Sequence, residues 1–135
     1  MKLILTIATM LFLTSPLFAA ESTVHSGEGW QNKSKKTSGA WKVVEDGGKH
    51  FVVLGDKFKT SRGPDLKLFV SPHAIESIGK KQKIENDGKL VAELKKTKGA
   101  QRYEIPASIN LADFKSLVIH CEKYTVVWGG VSITM

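Results

Sequence analysis

Leu117-Val118-Ile119-His120-Cys121-Glu122-Lys123-Tyr124-Thr125-Val126-Val127-Trp128 is the strongest β-forming run of the chain. β-Branched and aromatic side chains dominate it, and such residues fit a pleated, half-buried surface. It reads as the central strand pair of a small all-β domain. The run also holds the single cysteine, Cys121, beside one of four histidines. Along a strand successive side chains point to opposite faces. Leu117, Ile119 and Cys121 therefore share one face, and Val118 and His120 the other. The leucine–isoleucine face has the character of core, which places the thiol inside.

Working outward, the segments on either side repeat the pattern of short strands and turns. Trp41–Glu45 and His50–Leu54 are β-rich and flank Asp46-Gly47-Gly48-Lys49. A Gly-Gly pair supplies the positive φ angles of a two-residue hairpin turn, with Asp46 facing Lys49 across it. The turn Ser61-Arg62-Gly63-Pro64-Asp65 leads into Leu66–Val70, where Leu66, Leu68 and Val70 face one way and Lys67 and Phe69 the other. Leu90–Leu94 and Gln101–Ile105 are further strands, the second with Tyr103 and Ile105 on one face and closed by Pro106. Asn110 is placed to cap a single helical turn that ends at Asp113. Gly129–Gly130 permits a tight turn or a bulge before a last strand, Val131–Thr134. Between these elements, His73–Gly88 offers one helical turn at Ile75 and Ile78 and otherwise reads as a solvated loop. About seven or eight short antiparallel strands with regularly spaced turns argue for a small β-sandwich or a flattened barrel, the sandwich being the expected form.

The ends of the chain have a different character. Lys2, the apolar run Leu3–Leu13 and the small pair Ala19–Ala20 have the layout of a secretory signal peptide, and that run is short for a membrane span. Residues 1–20 are thus expected to be removed, which leaves no transmembrane anchor and places the protein in the periplasm or outside the cell. Residues 21–39 are polar and lysine-rich, with Trp30 the only large apolar group, and read as a flexible arm or an edge segment. The domain itself then spans residues 40–135. At 135 residues, 41% hydrophobic and 24% charged, the chain is globular and of single-domain length. Twenty basic residues against thirteen acidic ones give a net charge of +7. The clusters Lys33/Lys35/Lys36, Lys80/Lys81/Lys83 and Lys95/Lys96/Lys98 carry much of it, either as solvated surface or as a means of attracting anionic partners. No nucleic-acid recognition motif is present.

A lone cysteine cannot form an internal disulfide, which is unusual in a small exported domain. Cys121 is then a buried apolar residue, a reactive or ligating thiol, or half of an intermolecular bridge. While its strand stays regular, His120 cannot reach the same ion as Cys121. A bulge would bring the two together, and a single thiolate with one remote axial ligand is the other form a centre could take. His25, His50 and His73 lie in separate segments, and no CxxC, CxxCH or HExxH is present, so ligand spacing supports neither a zinc site nor a c-type haem. Thiol catalysis would need a neighbouring cation or base. Lys123, read on the same strand face as Cys121, is the one candidate. Asp65 reads as a turn-capping residue, and Tyr103 and Trp128 as core aromatics.

Three stretches together resemble the DM13 domain family. They are Phe58–Pro72 with its Gly63-Pro64-Asp65 turn, Leu94–Pro106 with its Gly-x-Gln-x-Tyr-x-x-Pro strand around Tyr103, and Phe114–Ser132 with Cys121 followed three residues later by Tyr124. The resemblance covers most of residues 40–135. It implies an exported β-sandwich with a role in electron transfer, centred on Cys121 as a redox or haem-related residue with His120 beside it, and a protein redox partner. Many members carry tryptophan where this chain has His120. The residues leave a second reading open: a non-catalytic extracellular binding or adhesion module, which would recognise an anionic cell-surface polymer and in which Cys121 is core.

Overall fold

The structure, a computed structural model, describes residues 21–134. The expected signal peptide lies outside them. Eleven strands run in chain order: β1 (Ser22–Gly27), β2 (Gln31–Asn32), β3 (Thr37–Ser38), β4 (Trp41–Asp46), β5 (Lys49–Leu54), β6 (Lys59–Thr60), β7 (Leu66–Ser71), β8 (Lys89–Glu93), β9 (Gln101–Glu104), β10 (Ser116–Cys121) and β11 (Val126–Ser132). Eight have four residues or more, as the sequence spacing implies. They pair antiparallel throughout, as one sheet in the order β1-β4-β5-β9 and a second in the order β2-β11-β10-β7-β8. β3 and β6 form a small separate ribbon.

The alternating patterns meet between the two sheets. Trp41, Val43, Val52, Leu54 and Tyr103 of the first sheet pack against Leu66, Leu68, Val70, Leu117, Ile119 and Cys121 of the second. This shared core makes the architecture a β-sandwich. The hairpin β4–β5 turns as anticipated, with Asp46 opposite Lys49 and positive φ at Gly47 and Gly48. Asn110 caps its 3₁₀ turn, Leu111–Asp113, by accepting a hydrogen bond from the Ala112 N–H at 3.2 Å.

Two expectations need correction. Of the two alternatives for residues 21–39, the structure shows the edge segment and not the flexible arm. β1 lies along β4, β2 along β11, and the Trp30 indole donates to the Gly39 carbonyl at 2.9 Å. The apparent polarity of this stretch is that of edge strands, which need only one apolar face.

The second correction concerns His73–Gly88. Its lysines are exposed, but Ile75, Ile78 and Ile84 are buried through two 3₁₀ turns, Ile75–Ser77 and Ile84–Asn86. They cover the outer face of the second sheet and form a second core with Phe69, Val118 and Val127. Ile75 and Ile78 are spaced as one helical turn, but Ile84 follows six residues later among lysines, so no sustained period announces the three as a buried cover. Gly130 lies within β11 and makes room for this cover, since a Cβ there would sit 2.7 Å from Ile75 Cδ1.

Ile84→Ala should therefore cost about 2–4 kcal/mol in urea denaturation, the usual penalty for emptying a close-packed site. A solvated-loop residue would change stability by less than about 0.5 kcal/mol. That smaller value would remove the second core from this account.

Candidate functional site

All six residues of β10 are buried, and the alternation read from the sequence holds. Cys121 is fully buried in the inter-sheet core with Leu117 and Ile119. His120, equally inaccessible, faces the other way, under the cover formed by residues 73–88. Its ring stands edge-on to Phe69, with centroids 5.8 Å apart. Nε2 lies 3.0 Å from the Glu85 carboxylate, and Nδ1 is buried without a partner. Glu85 follows the buried Ile84, so the isoleucine that anchors the loop also delivers the carboxylate to the histidine. No local spacing marks this pair.

A bulge does occur on this strand pair, but on the partner strand. Ile119 lies opposite Gly129 and His120 opposite Val127, which leaves Trp128 as the extra residue of β11. β10 itself stays regular, so the bulge does not turn His120 toward Cys121. Among the described residues no group of three or more His, Cys, Asp or Glu is arranged to hold a metal ion. His120 and Cys121, on opposite faces, do not fit one shared metal or haem centre.

The remaining motif residues divide between two places. Around the end of β10, Cys121 pairs with Leu66 on one side and Val126 on the other. Asp65 joins the 61–65 turn to the β10–β11 turn: its backbone carbonyl accepts from Glu122 N–H at 3.2 Å and its carboxylate from Lys123 N–H at 3.0 Å. Lys67 lies between the Glu122 and Asp65 carboxylates, which hold its ammonium above the ordinary lysine range, Glu122 contributing most. Lys123 is thus a turn residue and not a strand neighbour of Cys121. Its ammonium stands 5.6 Å from the ring of Tyr124. Tyr124 is 59% exposed at the tip of the turn. The next residue, Thr125, takes φ 53°, a region β-branched residues rarely enter.

Gly63 and Trp128 also meet here. A Cβ at Gly63 would lie 2.9 Å from Trp128 Cζ2, so only glycine lets the 61–65 turn close onto the indole. The indole N–H donates to the Ser61 carbonyl at 3.1 Å. The carbonyl of Trp128, turned outward at the bulge, accepts from the N–H groups of Lys33 at 2.9 Å, Ser34 at 3.2 Å and Lys35 at 3.3 Å. Pro64 is exposed beside Gly63. Tyr103 belongs elsewhere, on β9. Its hydroxyl accepts from Lys95 N–H at 2.9 Å and bonds Gln101, and burial pushes its phenol above the ordinary tyrosine value.

A family model described as Electron transfer DM13 matches residues 30–133. No curated protein and no solved structure matches the chain.

Two substitutions probe these contacts by equilibrium denaturation. Asp65→Ala removes the acceptor of Lys123 N–H and should cost about 0.5–2 kcal/mol, as lost caps do. Glu85→Ala strands the second ring nitrogen of His120 and should cost about 1–3 kcal/mol, much of which a further His120→Leu change should restore. Additive losses in the double variant would deny the His120–Glu85 coupling.

Proposed function

The chain belongs to the DM13 electron-transfer family, and from that premise we propose an exported electron-transfer domain with Cys121 as its redox-linked centre. One observation carries the assignment to Cys121. The sulfur-bearing residue ends β10 directly before the turn Glu122–Thr125, and that turn presents Tyr124, an exposed aromatic, to solvent. A buried centre one residue below a surface turn is within reach of a partner that docks there. His120, on the other face, serves as a structural polar group tied to Glu85. His120 and Cys121 do not converge on one metal or haem, so any such group would be held by Cys121 with a ligand other than His120. Export rests on the layout of Lys2–Ala20 and is checked by intact mass, which should give Ala20 or Glu21 as the first residue of the exported protein.

A second reading has its own support. Cys121 is fully inaccessible and packed with Leu117 and Ile119, the setting of an inert core thiol. On that reading the domain is a binding or adhesion module. The two readings part on reactivity.

Timed alkylation of native against unfolded protein, alongside an absorption spectrum with metal analysis, separates them. A redox centre predicts a native thiol that alkylates near neutral pH, and Cys121→Ala and Cys121→Ser variants that fold normally and lose electron exchange. A core thiol predicts protection in the native state and a Cys121→Ser loss of about 1–3 kcal/mol for an unpaired buried hydroxyl. A protected thiol in a colourless, metal-free protein would remove Cys121 as the centre.

A further inference from the structure

The ribbon formed by β3 and β6 borders a groove lined by lysines. Ser38 pairs with Lys59, and Lys59 forms an antiparallel bridge with Lys98. Residues directly opposite in antiparallel pairs project to the same face, so Ser38, Lys59 and Lys98 stand in a row across three chain segments. Lys36, Ser38, Lys59, Thr60 and Ser61 line a groove of about 370 Å³ along this row. Among the described residues no ion pair engages Lys36, Lys59 or Lys98. Like charges directly opposite across a ladder are destabilising. Edge lysines that only protect a sheet from aggregation need not face one another.

The groove is also joined to the candidate site. Its Ser61 wall is held by the Trp128 indole, and the segment that brings Lys36 is fixed by the Trp128 carbonyl through Lys33, Ser34 and Lys35. Lys35 adds its ammonium 5.9 Å from the Trp128 ring. Trp128 in turn packs in the same core as Cys121. One residue thus supports the cationic surface and contacts the core that holds the proposed centre.

We propose that this groove is the docking surface for the acidic side chains of a partner protein; the partner's identity as a redox protein rests on the electron-transfer reading. The chemistry favours carboxylates. The cations are lysines, which act as hydrated point charges, and no arginine fork or helix N-terminus lines the groove as phosphate recognition commonly employs. Single-stranded nucleic acid would call for exposed aromatic platforms. The exposed large apolar residues, Leu90 and Tyr124, do not line the groove. Electron-transfer complexes are small and steered by complementary charge, and a strip of unpaired lysines suits them.

The test is an NMR titration of the 21–135 protein with a deca-glutamate peptide, followed on the amides of residues 36–38 and 59–61 and on the Trp128 indole N–H. Shifts should concentrate on these signals. Lys36→Glu/Lys59→Glu should weaken binding at least about tenfold, against less than about twofold for the charge-matched control Lys80→Glu/Lys81→Glu. Lys36→Gln/Lys59→Gln provides the same comparison with less change of charge, and relief of the Lys59–Lys98 repulsion should leave its melting temperature at or above that of the wild type. Equal losses in the two glutamate variants would reduce the effect to net charge and overturn the proposal. Tighter, groove-dependent binding of an alginate oligomer would replace the protein partner with an acidic polysaccharide and overturn it as well. The readout needs no electron exchange. Groove binding by a redox-inactive protein therefore keeps the docking surface and rejects the electron-transfer reading alone.

Discussion

β10 is buried on both faces, and most of the molecule answers to that constraint. A strand in this position cannot leave polar atoms to water, so they look for partners within the protein, and only His120 Nδ1 among its buried side-chain nitrogens and oxygens lacks one. Ser116 donates its hydroxyl to the His73 carbonyl at 2.8 Å, and His120 reaches Glu85. Both partners lie in or at the edge of the 73–88 cover. That cover also buries Phe69, Val118 and Val127. The cover is therefore as much a requirement of β10 as the facing sheet. A two-layer sandwich with an open outer face would leave a histidine and three large apolar groups unsupported.

The bulge at Trp128 is the second organising feature. An extra residue in β11 interrupts the ladder and leaves a carbonyl without a partner in β10. The chain uses it three times over, as the acceptor for the 33–35 segment. The same residue directs its indole N–H to Ser61 and its ring against Gly63. Two loops distant in sequence are thus fixed by one irregularity. Without the Trp128 carbonyl, the lysine-bearing segment would keep on the second sheet only the two-residue strand β2 and the bond from Ser34 N–H to the Val127 carbonyl.

The legible part of the fold was the part with a period. Strand alternation placed Leu66, Leu68 and Val70, and separately Leu117, Ile119 and Cys121, on core-facing sides, and the Gly47-Gly48 turn fixed one hairpin. The 73–88 cover escaped because three isoleucines hold it with no regular spacing. Residues 21–39 stayed between flexible arm and edge segment because edge strands are short and polar, and because the carbonyl that holds residues 33–35 belongs to a tryptophan nearly a hundred residues away. At the candidate site, alternation separated His120 from Cys121, but Glu85 could not be matched to His120 without the loop path. Lys123 was misplaced for the opposite reason. The β-rich run continues through it in composition, while Asp65, from another turn, captures its N–H and holds the chain in a reversal.

This separation of faces also bears on what kind of centre Cys121 can be. The polar partners of β10 lie on the His120 side, and the sulfur faces apolar neighbours. A centre that worked as a nucleophile or a metal-bound thiolate calls for a nearby cation, but the Lys67 ammonium is engaged by Glu122 and Asp65 and that of Lys123 lies beside the Tyr124 ring, both at the turn. What the apolar side does offer is rigidity. Close-packed interiors leave little room for neighbouring atoms to move, and fixed surroundings minimise the rearrangement that accompanies a change of charge. A redox role for Cys121 therefore depends on access at the end of the sandwich where β10 stops, since its neighbours within the core are apolar.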